Sequence, residues 1–221
     1  MSSIFTSSLG KKLLMSLAGI FLIVFLLVHM GINLLIVIFD DPMVYNKAAH
    51  IMSTNILIKI FEIILFGGFL LHMIYALILQ IQNWVARPNR YNKTNYSNTS
   101  FFSKFMIHTA LITLVFLVIH MTDFYIKAKF GHATEVIVDG KTYHDFASEI
   151  IDKFKMLPFV IFYIAAFVFL GFHLVHGFQS AFKTLGMDHK KYTPVVQFLA
   201  IIYSTIIVGG YSFIPVYIYF L

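Results

Sequence analysis

Ten histidines and no cysteine make imidazole the abundant soft metal ligand of this 221-residue chain. Two of the ten lie in one apolar stretch, Gly171-Phe172-His173-Leu174-Val175-His176-Gly177-Phe178-Gln179, and His29, His72 and His120 each sit midway along another apolar run. Ionisable groups are uncommon in such surroundings and usually have a partner or a task. Without cysteine the chain alone cannot build a disulfide framework, an iron-sulfur cluster, a thiolate zinc site or a covalent Cys-x-x-Cys-His haem attachment. Three chemistries remain for the set: hydrogen bonding between helices, proton relay, and ligation of a metal by paired imidazoles.

The elements that must position these histidines are membrane spans. With 59% hydrophobic and only 12% charged residues, the composition lies outside the range of soluble globular domains. Crossing the hydrocarbon takes roughly 20 apolar residues, and five segments qualify, at about 13–39, 56–84, 104–125, 157–182 and 195–221. The expected fold is an all-α integral membrane protein forming a single domain over 1–221. The run after Lys11-Lys12 is longer than a secretory h-region and has no convincing cleavage site, so it reads as a retained first span. Pro158 suits a first helical turn. Trp84, Tyr125 and Tyr217-Ile218-Tyr219 gather at span ends as an interfacial belt. The connections read as a short loop holding Asp40-Asp41-Pro42, a polar loop over 85–103, a longer loop over 126–156 with a short surface helix at 146–154, and a turn over 186–194.

An odd number of spans puts the termini on opposite faces. One face carries Lys11, Lys12, Arg87, Arg90, Lys93, Lys104, Lys183, Lys190 and Lys191 against Asp188, a net of +8; the other carries seven lysines against nine carboxylates, a net of −2. These add to the chain's +6. The Lys and Arg bias places the N-terminus in the cytoplasm and the 126–156 loop outside. The basic balance therefore speaks for membrane orientation. No basic motif with interleaved aromatics points to nucleic acid.

Counting from the cytoplasmic end at 1.5 Å per residue, His29 and His120 both lie ~24 Å deep, while His72 and His173 lie ~18 and ~15 Å deep. An outer pair and an inner pair result. Two imidazoles at one depth on different helices are what a haem iron needs above and below its porphyrin plane, and such six-coordination leaves a centre that carries electrons. Two non-covalent haems b are therefore expected within a four-helix bundle, with a fifth helix in addition. Gly68 lies four residues before His72 and Gly177 four after His173, on the ligand faces, where a missing side chain admits a flat macrocycle. Glycine at helix contacts has the ordinary alternative of close helix packing. His176 competes with His173 but lies ~10 Å from the inner surface, a poorer match to His72. His108, ~6 Å in, suits a propionate or a solvated role, and His50, His132, His144 and His189 fall in loops or at span ends.

Further motifs fill in the pattern. They are Ser8-Leu9-Gly10-Lys11-Lys12, Leu27-Val28-His29, Asn46-Lys47-Ala48-Ala49-His50, Gly67-Gly68-Phe69-Leu70-Leu71-His72, Ala86-Arg87-Pro88, Phe116-Leu117-Val118-Ile119-His120 and the Gly171 to Phe182 run. In order and placement, over nearly the whole chain, they resemble the five-helix, two-haem cytochrome b anchor subunit of succinate dehydrogenase and quinol:fumarate reductase, most closely its Bacteroidetes-type form. The resemblance implies axial ligands at His29 and His120 for the outer haem and at His72 and His173 for the inner one. It also implies a bacterial cytoplasmic membrane, a flavoprotein and an iron-sulfur subunit as partners, menaquinone as substrate, and a dimer of the whole complex as a candidate assembly. Succinate chemistry would then belong to the partners.

Quinone reduction consumes protons, so a carboxylate or imidazole is expected near the outer haem. Glu62, six residues into span two, and His50 in the preceding loop are the candidates; an ion pair of Glu62 with Lys59 is the plain alternative. Two other functions fit the same sequence: a cytochrome b serving another quinone-linked dehydrogenase, such as a hydrogenase or formate enzyme, and a haem-free proton-coupled transporter.

Overall fold

The structure is a computed structural model and describes residues 7–85, 105–130, 134–138 and 140–221. Among the described residues it is 85% helical with seven helices, five of them long and apolar enough to cross a membrane. In chain order these are α1 (Ser8–Ile38), α2 (Pro42–Thr54), α3 (Ile56–Val85), α4 (Met106–His120, continuing to Lys129), α5 (Phe146–Phe154), α6 (Leu157–Thr184) and α7 (Thr193–Phe220). The shortest spanning helix, α4 with 24 residues, is ~36 Å long and exceeds a hydrocarbon core of about 30 Å. The Ala86-Arg87-Pro88 motif, Arg90, Lys93, Lys104, His132 and Asp139 lie outside the described residues.

Helix ends follow local chemistry. Ser7 Oγ accepts from Gly10 N at 3.0 Å to start α1, and Asp41 Oδ1 accepts from Met43 N at 2.9 Å to start α2, with Pro42 in its first turn. Asn55 Oδ1 does the same for α3, accepting from Leu57 N at 2.9 Å. After α6 the chain turns through Gly186 at φ +95, and Met187 N donates back to Phe182 O at 3.0 Å.

Small residues decide which helices touch. A side chain at Gly171 of α6 would strike Val208 of α7, and Ser204 Oγ donates to the Gly171 carbonyl at 2.8 Å. One at Gly210 of α7 would strike Met30 of α1. Tyr203 and Tyr211 of α7 donate to the α1 carbonyls of Ile23 (2.7 Å) and Leu26 (3.0 Å). α1, α6 and α7 thus form the packed centre; α3 rests on α1, and α4 rests on α6. The fifth spanning helix is therefore built into this packed centre. α3 buries no residue at all. Its Ile63 and Ile74, with Val24, Leu27, Val115 and Phe198 on other spans, point outward, as helices facing lipid do.

The segments that follow α1 and α4 hold more secondary structure among their described residues than the sequence indicated. The connection after Ile38 was read as a short loop, but Asp41-Pro42 opens the 13-residue α2. In the 126–156 segment, strands β1 (Glu135–Val138) and β2 (Lys141–His144) pair as an antiparallel hairpin turning through Gly140 at φ +72. α5 follows over the residues expected, burying Ala147, Ile150 and Phe154. These pieces gather over one end of the bundle, the capped end. Asn46 of α2, only 1% exposed, holds them: its Nδ2 donates to Asp145 Oδ1 at 2.8 Å and its Oδ1 accepts from Ala147 N at 2.9 Å.

Desolvation pushes the Asp145 carboxyl up, but hydrogen bonds from Asn46 and Ser148 outweigh it and hold the group below its usual range. A carboxyl depressed on folding stabilises the cap above its unfolded value and loses that contribution as pH falls through the folded one. Asn46→Ala is therefore expected to cost the cap about 1–3 kcal/mol, from the unpaired polar groups left behind. It should also shift the acid-induced opening of the cap to higher pH, both measurable by limited proteolysis across a pH series.

Candidate functional site

The mid-span histidines meet in twos. His29 of α1 and His120 of α4 have ring centres 5.9 Å apart with planes at 81°, and His72 of α3 and His173 of α6 have centres 6.4 Å apart, also at 81°. Neither pair follows from helix contact. Among the described residues α1 makes at most marginal backbone contact with α4, and α3 at most marginal contact with α6. The imidazoles reach across these gaps and come together in the combinations that equal depth indicated.

Two imidazoles bound to one first-row metal ion from opposite sides would have ring centres ~6.2 Å apart, taking about 2.0 Å for each metal–nitrogen bond and roughly 1.1 Å from nitrogen to ring centre. Both pairs lie close to that spacing. Edge-to-face aromatic packing covers a range of about 4.5–7 Å, so the distance is shared with a plain ring contact, and the nitrogens carry the distinction. His120 Nδ1 and His173 Nδ1 are buried without a hydrogen-bond partner among the described residues, one such atom in each pair. A dry contact that left these nitrogens unbonded would cost about 1–3 kcal/mol at each. No group of three or more His, Asp or Glu side chains suited to a metal occurs among the described residues. Each pair would offer two imidazole ligands to a metal shared between its rings.

The other member of each pair has its ring nitrogen engaged. His72 Nδ1 lies 3.4 Å from the Met15 carbonyl of α1, a contact that favours the proton on Nδ1 and leaves Nε2 as the free lone pair. Asn33, one turn beyond His29, donates to the His29 carbonyl at 2.7 Å, and its amide nitrogen lies 3.4 Å from the ring Nε2. Tyr45 of α2 donates in turn to Asn33 Oδ1 at 3.5 Å. Burial pushes the Tyr45 hydroxyl up to about 12, so it remains a neutral donor.

The glycines divide. Gly68 packs on α1, where a Cβ would meet Phe21 at 3.5 Å, and Gly177 faces open space, with nothing within 4 Å of the Cβ position. Gly19, which the sequence reading passed over, is the glycine that faces a histidine: its Cβ position lies 3.5 Å from His72 Cε1. His176 is partly buried and in electrostatic reach of His173 and Lys183. His108 is exposed beside Phe105, at 6.0 Å between ring centres.

Near the capped end Glu62 is tied to α4. The Tyr125 hydroxyl donates a short hydrogen bond to Glu62 Oε1, and Lys129 Nζ reaches the same oxygen at 3.1 Å. The expected alternative of an ion pair with Lys59 is corrected: Lys59 acts on Glu62 only at longer range, and the bonded partners lie more than sixty positions away in the chain. His50 stands apart from this cluster. Its ring packs edge-on against Tyr143 of β2 at 5.0 Å, so the two candidate proton carriers are not brought together.

Sequence reading also missed Asp123 and Lys153, which it counted only among the charges of one face. They form an ion pair between the end of α4 and α5. Asp123 stands three residues after His120 in a six-residue wide turn, Met121–Ile126, of a kind common at functional sites. Comparison of the chain with protein-family models, curated proteins and solved structures found no match.

The Glu62–Tyr125 contact links two spans that otherwise scarcely meet. A double-mutant cycle of Glu62→Gln and Tyr125→Phe should show a coupling of about 1.5–3 kcal/mol, the range of hydrogen bonds to charged groups. Unfolding of the detergent-solubilised chain checks it, and strict additivity of the two variants would be the contrary result.

Proposed function

We propose that this chain is the cytochrome b membrane anchor of a succinate:quinone oxidoreductase, a four-helix haem bundle with α7 as its fifth helix. His29 and His120 would hold one haem b near the capped end, and His72 and His173 would hold a second. The observation that carries the reading is the meeting of two histidine pairs across helix gaps, each near the spacing of a shared metal ion and each with an orphaned ring nitrogen. Bound there, the haems would supply one-electron transfer across the bilayer between an iron-sulfur partner and quinone.

The chain's own residues supply orientation and proton handling. The Met15 carbonyl engages Nδ1 of His72 and leaves its Nε2 free, and Asn33, steadied by Tyr45, fixes the position of His29. Glu62 is the proton carrier for quinone at the capped end. Its Oε1 already accepts from Tyr125 and Lys129, so a proton can reach that oxygen within one hydrogen-bonded cluster. His50, set against Tyr143, takes no part in that cluster. The basic face at the opposite end marks the side of the flavoprotein and iron-sulfur subunits and the cytoplasm, in a bacterial inner membrane, with menaquinone as the substrate.

Two experiments test this. Reduced-minus-oxidised spectra of His→Ala variants should show one b-type centre lost first in both His29→Ala and His120→Ala, and the other lost in both His72→Ala and His173→Ala. Losing the inner centre with His176→Ala while His173→Ala kept it would reassign the ligand. Glu62→Gln should keep both centres while quinone reduction falls by about 10²-fold or more, the usual size of a lost acid–base group. Co-purification with a nickel or molybdenum subunit in place of a flavoprotein and an iron-sulfur protein would overturn the succinate assignment.

A further inference from the structure

Beyond the paired histidines, the capped end holds one desolvated ion pair whose place in the fold is unusual. Asp123 of α4 and Lys153 of α5 keep side chains only 21% and 12% exposed. Lys153 is boxed by rings, its Nζ 4.8 Å from the centre of Phe159 and 5.3 Å from that of Phe124. Phe124 in turn lies 5.3 Å from the His120 ring. The groups facing the pair are His120 and, through it, His29, together with Tyr163 of α6. Both charges act on His120, and Asp123 also acts on Tyr163, which is 2% exposed with a hydroxyl that has no partner among the described residues.

A wider helical turn is what makes this possible. Met121–Ile126 closes with the long π spacing, which alters the direction of the residues that follow His120. α5 is anchored independently through Ala147, Ile150, Phe154 and the Asn46 latch, so Lys153 is brought to Asp123 by the cap. In a low-dielectric setting such charges act over longer distances than in water, and removing one leaves the other uncompensated.

We infer that Asp123 and Lys153 are a balanced pair of positioning residues that sets the redox potential of the centre held by His29 and His120. The inference rests on the two-haem reading above. A reduced centre carries one more negative charge than an oxidised one. A lone Asp123 therefore opposes reduction and a lone Lys153 favours it; together they nearly cancel.

Redox titration of the full chain in its membranes, with the two potentials assigned by His120→Ala and His72→Ala, tests this directly. Lys153→Met should lower the potential of the His29–His120 centre and Asp123→Asn should raise it. The double variant Asp123→Asn/Lys153→Met should fall between the single ones, Lys153→Arg should match wild type, and the His72–His173 centre should stay in place throughout. Shifts of the same sign in both single variants, no shift in either, or equal movement of both centres would overturn the inference. Where a single variant sheds its haem, Lys153→Arg and the double variant decide: both should keep two centres near wild-type potentials, and displacement of either overturns it. A wild-type chain with no b-type spectrum would overturn the two-haem reading itself, an outcome distinct from two haems whose potentials ignore these charges.

Discussion

The rest of the structure depends on imidazoles that meet across helices that scarcely touch. In a membrane interior, polar side chains need partners within the protein, because lipid offers none. Helices normally solve this by close approach at small residues, as α6 and α7 do at Gly171 and Ser204. The histidine pairs are placed differently. They bridge α1 to α4 and α3 to α6, where backbone contact is at most marginal, and they leave one ring nitrogen of each pair unsatisfied. A group bound between them would supply the missing contacts on both sides at once.

The division of labour among the helices follows. α1, α6 and α7 make a rigid centre through glycine contacts and through tyrosine hydroxyls bonded to α1 carbonyls. α3 and α4 each lean on one member of that centre. Each pair thus joins a ring from the centre, His29 or His173, to a ring from a leaning helix, His120 or His72. Side-chain ties keep the leaning helices in register: Met15 to His72 between α1 and α3, and Glu62 to Tyr125 between α3 and α4. At the capped end Asn46, Tyr45 and Lys153 connect extramembrane elements to the same framework, so the His29–His120 pair is governed from outside the bundle as well as within it.

Much of this was legible in the sequence because membrane spans are long, apolar and near one rise per residue. The five spans fall within a few residues of the helices, and counting depth alone paired His29 with His120 and His72 with His173. The short helix at 146–154 was also legible, since Asp145 precedes an amphipathic run. What escaped reading depends on contacts remote in sequence. Asp41-Pro42 is a helix-start signal, yet the brief polar stretch around it read as a loop. Lys59 stood as the alternative partner of Glu62 because that lysine is a helical neighbour, while its bonded partners lie at Tyr125 and Lys129. Gly68 was singled out for its spacing from His72, but the glycine facing that ring, Gly19, is on another helix. The wide turn after His120 has no dependable sequence mark, and with it the pairing of Asp123 and Lys153 stayed hidden.

The central claim concerns what occupies the space between the paired rings. The most direct measurement is haem content per chain, by pyridine haemochrome assay against protein concentration, on wild-type protein purified in mild detergent. The account expects two non-covalent b-type haems per chain. A colourless protein would contradict it outright and favour a proton-relay role for the histidines, and a single haem would contradict the equivalence of the two pairs.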